Sequence, residues 1–169
     1  LQLQFGDYIQ CLKKVLCESG LPPAKLELEL TESVLIDDTD RAVHILDDIR
    51  SIGVRLALDD FGTGYSSLSY LRRFPFDTLK IDRSFVTELL TKPDARAIVK
   101  MISDLAKELG KRTICEGVET VEQLELICAA GCDEVQGYLI SAPCALIDFP
   151  QALGPALNPH GQGKPADCP

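Results

Sequence analysis

A chain of 169 residues with 46% apolar and 25% charged content holds enough hydrophobic surface to bury a core, which excludes a wholly disordered chain. Its formal charge of -9 offers no broad basic face for a phosphate backbone and excludes duplex nucleic acid as the main partner, while a small anionic ligand held through metal ions stays compatible with it. No apolar run approaches the ~20 residues of a membrane span and the first residues lack a signal-peptide pattern, so the expected location is cytoplasmic, with any membrane anchor of a longer parent protein lying outside these residues.

From Phe5 to Cys17 the residues Phe5, Ile9, Leu12, Val15 and Leu16 recur at helical spacing, and Gly20 with Pro22 and Pro23 closes the segment. Leu26 to Thr31 alternates with period two, a strand with Leu26, Leu28 and Leu30 on one face and Glu27, Glu29 and Thr31 on the other. Ala42, Ile45, Leu46, Ile49 and Ile52 make the apolar stripe of a second helix that ends at Gly53. The strand Val54 to Asp59 follows at once and stops on two adjacent carboxylates, Asp59 and Asp60, ahead of a glycine-rich turn from Phe61 to Leu68. Neighbouring carboxylates repel unless a cation or proton lies between them, so the pair is either a divalent-metal seat or a solvated turn.

Ser66 to Arg73 predicts a short helix, and Phe76 to Asp82 a strand with Leu79 and Ile81 on one face and Thr78, Lys80 and Asp82 on the other. Asp94 opens a longer helix with Ile98, Ile102, Leu105, Ala106 and Leu109 inward, closed by Gly110, and Arg112 to Glu116 is a short strand. Thr120-Val121-Glu122-Gln123 has the capping-box pattern of a helix that runs through Cys128 and stops at Gly131. Asp133 to Gln136 and Tyr138 to Ile140 read as two short strands, Phe149 to Leu153 as the end of a last helix, and Gly154 to Pro169 as a disordered tail rich in Pro and Gly. The seven cysteines carry no CxxC pair and no zinc spacing, which fits reduced thiols, and neither His44 nor His160 stands at a strand end.

Helices alternating with strands predict right-handed βαβ units and a parallel sheet, open or closed. Glu29, Asp59, Asp60, Lys80, Glu116 and Gln136 stand at or near the carboxyl ends of five successive strands, where (β/α) barrels place their chemistry. An open doubly wound sheet gathers its ligands at one switch point, and no GxGxxG or Walker pattern is present. The expected fold is α/β, a TIM-like (β/α) barrel incomplete at its amino terminus, with about six of eight strands.

Five ordered motifs carry a family resemblance: Glu29-Leu30-Thr31-Glu32-Ser33, Asp59-Asp60-Phe61-Gly62-Thr63-Gly64-Tyr65-Ser66-Ser67-Leu68, Lys80-Ile81-Asp82-Arg83-Ser84-Phe85-Val86, Glu116-Gly117-Val118-Glu119-Thr120 and Gln136-Gly137-Tyr138. Together they resemble the EAL-domain cyclic di-GMP phosphodiesterases. That resemblance implies a TIM-like barrel whose rim binds cyclic di-GMP and two divalent cations, Mg2+ or Mn2+, and hydrolyses one phosphodiester bond to linear pGpG. It implies metal ligation by Glu29, Asp59, Asp60 and Glu116, catalytic roles for Lys80, Glu116 and Asp59, and a substrate and water environment from Gln136, Asp82 and Glu119. Glu32 matches a glutamate that anchors the loop after the Asp-Asp pair, a loop that couples dimerisation to metal binding in the family. The partners implied are cyclic di-GMP, a second copy in a homodimer, and sensory or GGDEF domains of a longer chain. The triplet Asp60-Phe61-Gly62 also matches a kinase metal-binding triplet, but no glycine-rich loop or His-Arg-Asp loop accompanies it.

The family's Glu-Ala-Leu and Asn-x-Ser motifs, which supply metal ligands from its first two strands, are absent from these residues. Residues 1–153 are accordingly expected to form the C-terminal two-thirds of an EAL domain and residues 154–169 a tail. Isolated activity is expected to be weak or absent, and a non-catalytic cyclic di-GMP receptor or protein-interaction module is the alternative reading.

Overall fold

A computed structural model describes residues 8–31, 39–62, 71, 73–145 and 147. Glu32, the predicted helices Ser66 to Arg73 and Phe149 to Leu153, and the predicted tail lie wholly or largely outside the described residues, as does the turn beyond Gly62.

The described residues form a parallel sheet of five strands: β1 Glu27–Thr31, β2 Arg55–Phe61, β3 Thr78–Ile81, β4 Arg112–Glu116 and β5 Glu134–Gln136. Spatial order equals chain order throughout. A doubly wound sheet reverses its order at a switch point, so a run of neighbours without reversal is the wall of a barrel. The chain is therefore an α/β, TIM-like barrel segment. Around the strands lie α1 Tyr8–Ser19, α2 Thr39–Ser51, α3 Arg83–Glu88, α4 Pro93–Glu108 and α5 Val121–Ala130. No described helix is long and apolar enough to cross a membrane.

The strands are buried where the apolar runs predicted them. Leu56, Ala57 and Leu58 of β2 and all four residues of β3 are buried, and Leu56, Leu58, Leu79 and Ile81 share one apolar core with Leu46 and Ile49 of α2 and Val99 and Ile102 of α4. In α1 only Leu12 and Leu16 are buried, while Val15 faces solvent, because at 100° per residue it falls off their stripe. The buried stripe of α4 runs through Ala95, Val99, Ile102, Ser103 and Ala106, so Ile98, Leu105 and Leu109 pack at its margin, displaced from the predicted centre.

Two elements differ from the sequence reading. Tyr138 to Ile140 is a turn, closed by the Ile140 N–H donating to the Gly137 carbonyl at 3.0 Å, so the described sheet ends at β5. Residues 83–88, where no element was expected, form α3, with Asp82 as its N-cap accepting from the Ser84 N–H at 3.0 Å.

The amino ends of the strands are closed by a polar layer. Arg112 Nη2 donates to Glu27 Oε2 and Thr78 Oγ1, each at 3.2 Å, and Nη1 donates to Glu134 Oε1 at 2.6 Å. These contacts tie β1, β3, β4 and β5 together at their amino ends, and the chemistry of (β/α) barrels lies at the opposite, carboxyl ends.

Candidate metal centre at the carboxyl ends of the strands

Strand alternation sends Thr78 and Lys80 to the side of β3 opposite Leu79 and Ile81, and the neighbouring strands bury that side too. Lys80 is only 4% exposed. Its Nζ lies 2.8 Å from Glu29 Oε2 on β1, 3.0 Å from Asp59 Oδ1 on β2 and 2.6 Å from Glu116 Oε1 on β4. Three strands thus send one carboxylate each to a single ammonium. Burial pulls the Lys80 ammonium toward neutrality, but the contacts to Glu116, Glu29 and Asp59 outweigh it and hold the group above the usual lysine range. Lys80 is a fixed cation.

The β2–β3 pairing shifts register between Leu58 and Phe61, and within that irregularity Asp60 takes a left-handed φ of 55°. A bulge inserts a residue and re-aims the side chains beyond it, so Asp59 and Asp60 escape strict alternation and both serve the same end of the barrel. Asp tolerates the left-handed region better than most residues, and such strain gathers at functional sites. The result is a convergent set: Asp59, Asp60 and Glu116 each place a carboxylate oxygen within 4.8 Å of the others. A divalent ion's oxygen shell spans about 4 to 5 Å, so these three fit one.

Asp59 Oδ1 sharpens the fit. It is buried and has no hydrogen-bond partner, with Lys80 Nζ 3.0 Å away as its ion-pair partner. A buried carboxylate oxygen with lone pairs to spare is suited to a hard cation. Three carboxylates, Glu29, Asp59 and Glu116, meet one ammonium and Asp60 converges on two of them, so the excess negative charge points the same way. Glu29 is not in the convergent set; its side chain is 51% exposed and joins the cluster through Lys80.

Beside this cluster lies an open cavity of about 790 Å³ lined by Arg83, Glu116, Glu119, Gln136 and Tyr138 among others. Glu116 is shared by both, whereas Asp59, Asp60 and Lys80 lie outside the cavity lining. Gln136 stands opposite Glu116 in the β4–β5 register and, like Glu119, is exposed to the cavity. Asp82 lines the same cavity while capping α3. Its burial raises the carboxyl, but the hydrogen bonds from Ser84 prevail and hold it below the usual carboxylate range.

Arg83 and Thr87 are cavity residues that sequence reasoning did not find. The signal was Asp82-Arg83-Ser84, an N-cap aspartate two residues ahead of its donor, at the end of the predicted strand Phe76 to Asp82 where no helix was expected. Gly117 is needed for the close approach of this wall: it has φ of 73°, and a Cβ there would stand 2.6 Å from Arg83 Cβ.

Known proteins share this arrangement of sequence and fold. The family model described as the EAL domain matches residues 2–143. The chain is 43% identical over 142 residues to the cyclic di-GMP phosphodiesterase NbdA of Pseudomonas aeruginosa, covering 84% of this chain and 18% of that one. Among solved structures, the Pseudomonas aeruginosa MucR phosphodiesterase in complex with c-di-GMP superposes with a TM-score of 0.84 at 40% identity, over 88% of this chain and 60% of that one. The manganese and c-di-GMP complex of Klebsiella pneumoniae BlrP1 superposes with a TM-score of 0.78 at 36% identity, over 83% and 36%. The chain spans about a fifth of the length of the curated relatives it matches, 17% of one and 20% of another.

Proposed function

This chain belongs to the EAL domain family, and on that premise we propose that its acidic rim hydrolyses one phosphodiester bond of cyclic di-GMP to give linear pGpG. The observation that carries the reading is Lys80, a buried ammonium held by Glu29, Asp59 and Glu116 beside the convergent oxygens of Asp59, Asp60 and Glu116. Family membership supplies the substrate class and the neighbouring cavity of about 790 Å³ supplies room for part of a dinucleotide.

A rim with four carboxylates repels a phosphodiester unless cations intervene, so Asp59, Asp60, Glu116 and Glu29 would hold two divalent ions, Mg2+ or Mn2+. Such ions, when bound, activate a water and neutralise charge developing on phosphate and leaving oxygen. Within the chain, Lys80 is held charged by Glu116, Glu29 and Asp59; it orients the attacking water as a hydrogen-bond donor and screens the carboxylates from one another. The water oxygen forms the new P–O bond as the bond from phosphorus to the ribose 3'-oxygen breaks; the proton that the water gives up passes to a rim carboxylate, the departing 3'-oxygen takes one up from solvent, and no serine or cysteine nucleophile is used. Gln136, Asp82 and Glu119 bound the substrate and water environment on the cavity side. The domain works as a homodimer alongside sensory or GGDEF domains.

The Glu-Ala-Leu and Asn-x-Ser ligands have no counterpart among these residues, so turnover by the 169-residue chain alone is slow. The test is chromatographic: cyclic di-GMP loss and pGpG formation, with Mg2+ or Mn2+, by the chain and by its Asp59→Asn variant. Metal-dependent pGpG formation lost in the variant supports the proposal. Tight cyclic di-GMP binding with no pGpG at any metal concentration favours a receptor instead.

A further inference from the structure

A glutamine amide offers one oxygen with two lone pairs and two N–H donors. Gln123 is 7% exposed and spends this capacity on three backbone groups. Its Oε1 accepts from the Glu119 N–H at 2.8 Å and the Thr120 N–H at 3.1 Å, and its Nε2 donates to the Val86 carbonyl at 3.2 Å. A capping box requires only the Thr120 pairing. The bonds to Glu119 and Val86 go beyond it, tying the β4–α5 loop to α3.

That loop begins at Glu116 and carries Glu119. Its other side is held by β5 and the turn after it: the Val118 N–H donates to the Gln136 carbonyl at 3.1 Å and the Leu139 N–H to the Val118 carbonyl at 2.9 Å. Gly137 permits this contact, because a Cβ there would lie 2.2 Å from the Val118 oxygen. The segment 117–120 is thus gripped between a buried amide and a strand end, and the residue it leaves from is the carboxylate shared by Lys80 and the convergent set.

We propose that Gln123 is a positioning residue of the metal centre, setting the loop that fixes Glu116 although it touches neither Glu116 nor the cavity. The proposal rests on the reading of Glu116 as a metal ligand. Carboxylate ligands act at full strength only when the shell behind them is fixed, and loss of such a support typically weakens metal binding about 10- to 100-fold.

The test is Mn2+ binding to the 169-residue chain, read from the paramagnetic resonance of the free ion, with thermal unfolding followed in parallel. Gln123→Glu keeps the side chain's length and an acceptor oxygen but turns a second oxygen toward the Val86 carbonyl; Gln123→Met, uncharged and of similar length, serves should the first variant not fold. Thr120→Val removes the hydroxyl that accepts from the Gln123 N–H at 3.3 Å and leaves the amide in place, a control for helix capping alone. The expected result is Mn2+ affinity reduced about 10- to 100-fold by a Gln123 variant and unchanged by Thr120→Val at comparable loss of stability. Equal Mn2+ binding by the parent and the folded Gln123 variant, or equal weakening by Thr120→Val, overturns the inference alone. A parent chain that binds no Mn2+ overturns the proposed function and this inference together.

Discussion

Lys80 Nζ meets Glu116 Oε1 at 2.6 Å although the two residues are not register partners; Lys80 stands opposite Ile114. Glu116 is two residues further along β4, on the same face, the diagonal neighbour that a long side chain reaches. The lysine therefore leans toward the carboxyl end of the barrel. There it meets Glu29 and Asp59 from the other flank, so one ammonium ties together strands on both sides of its own.

Replacing Lys80 by Met should separate charge screening from metal ligation. Three carboxylates would then face each other without their cation, and the metal-free protein should lose about 1 to 3 kcal/mol, part of the penalty being relieved by solvent at half-exposed Glu29. Cyclic di-GMP turnover should fall about 100- to 1,000-fold. Mn2+ binding should persist and restore much of the lost thermal stability; a variant that neither binds Mn2+ nor regains stability would contradict the assignment of ligands to the carboxylates.

Metal addition should itself stabilise the parent. A ligand present at 100 times its dissociation constant adds about 2.7 kcal/mol to the folded state, and the midpoint of thermal unfolding should rise to match. Asp59→Asn removes a convergent carboxylate, and the Mn2+-dependent rise should vanish in it. An undiminished rise would place the ion elsewhere.

Asp82 predicts an acid-limb dependence of stability. Its carboxyl titrates lower when folded than when unfolded, because the Ser84 hydrogen bonds favour the charged form over the opposing effect of burial. The stabilisation is thus complete above the unfolded carboxylate range, near pH ~4, and drains away as pH falls through the lower folded value. Denaturant unfolding of Asp82→Asn should show that part of the pH slope missing, while Asp82→Ala should also lose about 1 kcal/mol at neutral pH through the missing cap.

Gly117→Ala should be costly for two reasons at one position. The backbone is left-handed at φ 73°, and the new methyl would collide with Arg83 Cβ at 2.6 Å. A loss of about 1 to 3 kcal/mol is expected in thermal or denaturant unfolding. Because the residue adjoins Glu116, Mn2+ affinity should fall as well, and a variant with parental stability and affinity would mean that the loop yields freely.

The strand ends were legible because each apolar run stops on a polar residue, as Val54 to Leu58 stops on Asp59, and a two-residue period fixes which side chains share a face. The bulge that brings Asp60 to the same end as Asp59 was not, since it exists only in the pairing with β3. Nor was the threefold grip on Lys80, which needs the register of four strands at once. Tyr138 to Ile140 reads as a strand by composition, yet the packing of Gly137 on Val118 turns the chain there, a tertiary contact with no local signature. Gln123 was legible as a cap and illegible as a tie to α3, because its second partner is a carbonyl 37 positions back.

Spatial order that repeats chain order also sets a timetable for assembly. Glu29 on β1 and Asp59 on β2 precede Lys80 of β3 in the chain and Glu116 of β4 follows it, so the cation is in place when the last of its three carboxylates arrives. Each described strand pairs with its neighbour in the chain, so none of the described pairings has to wait for a strand beyond the next one.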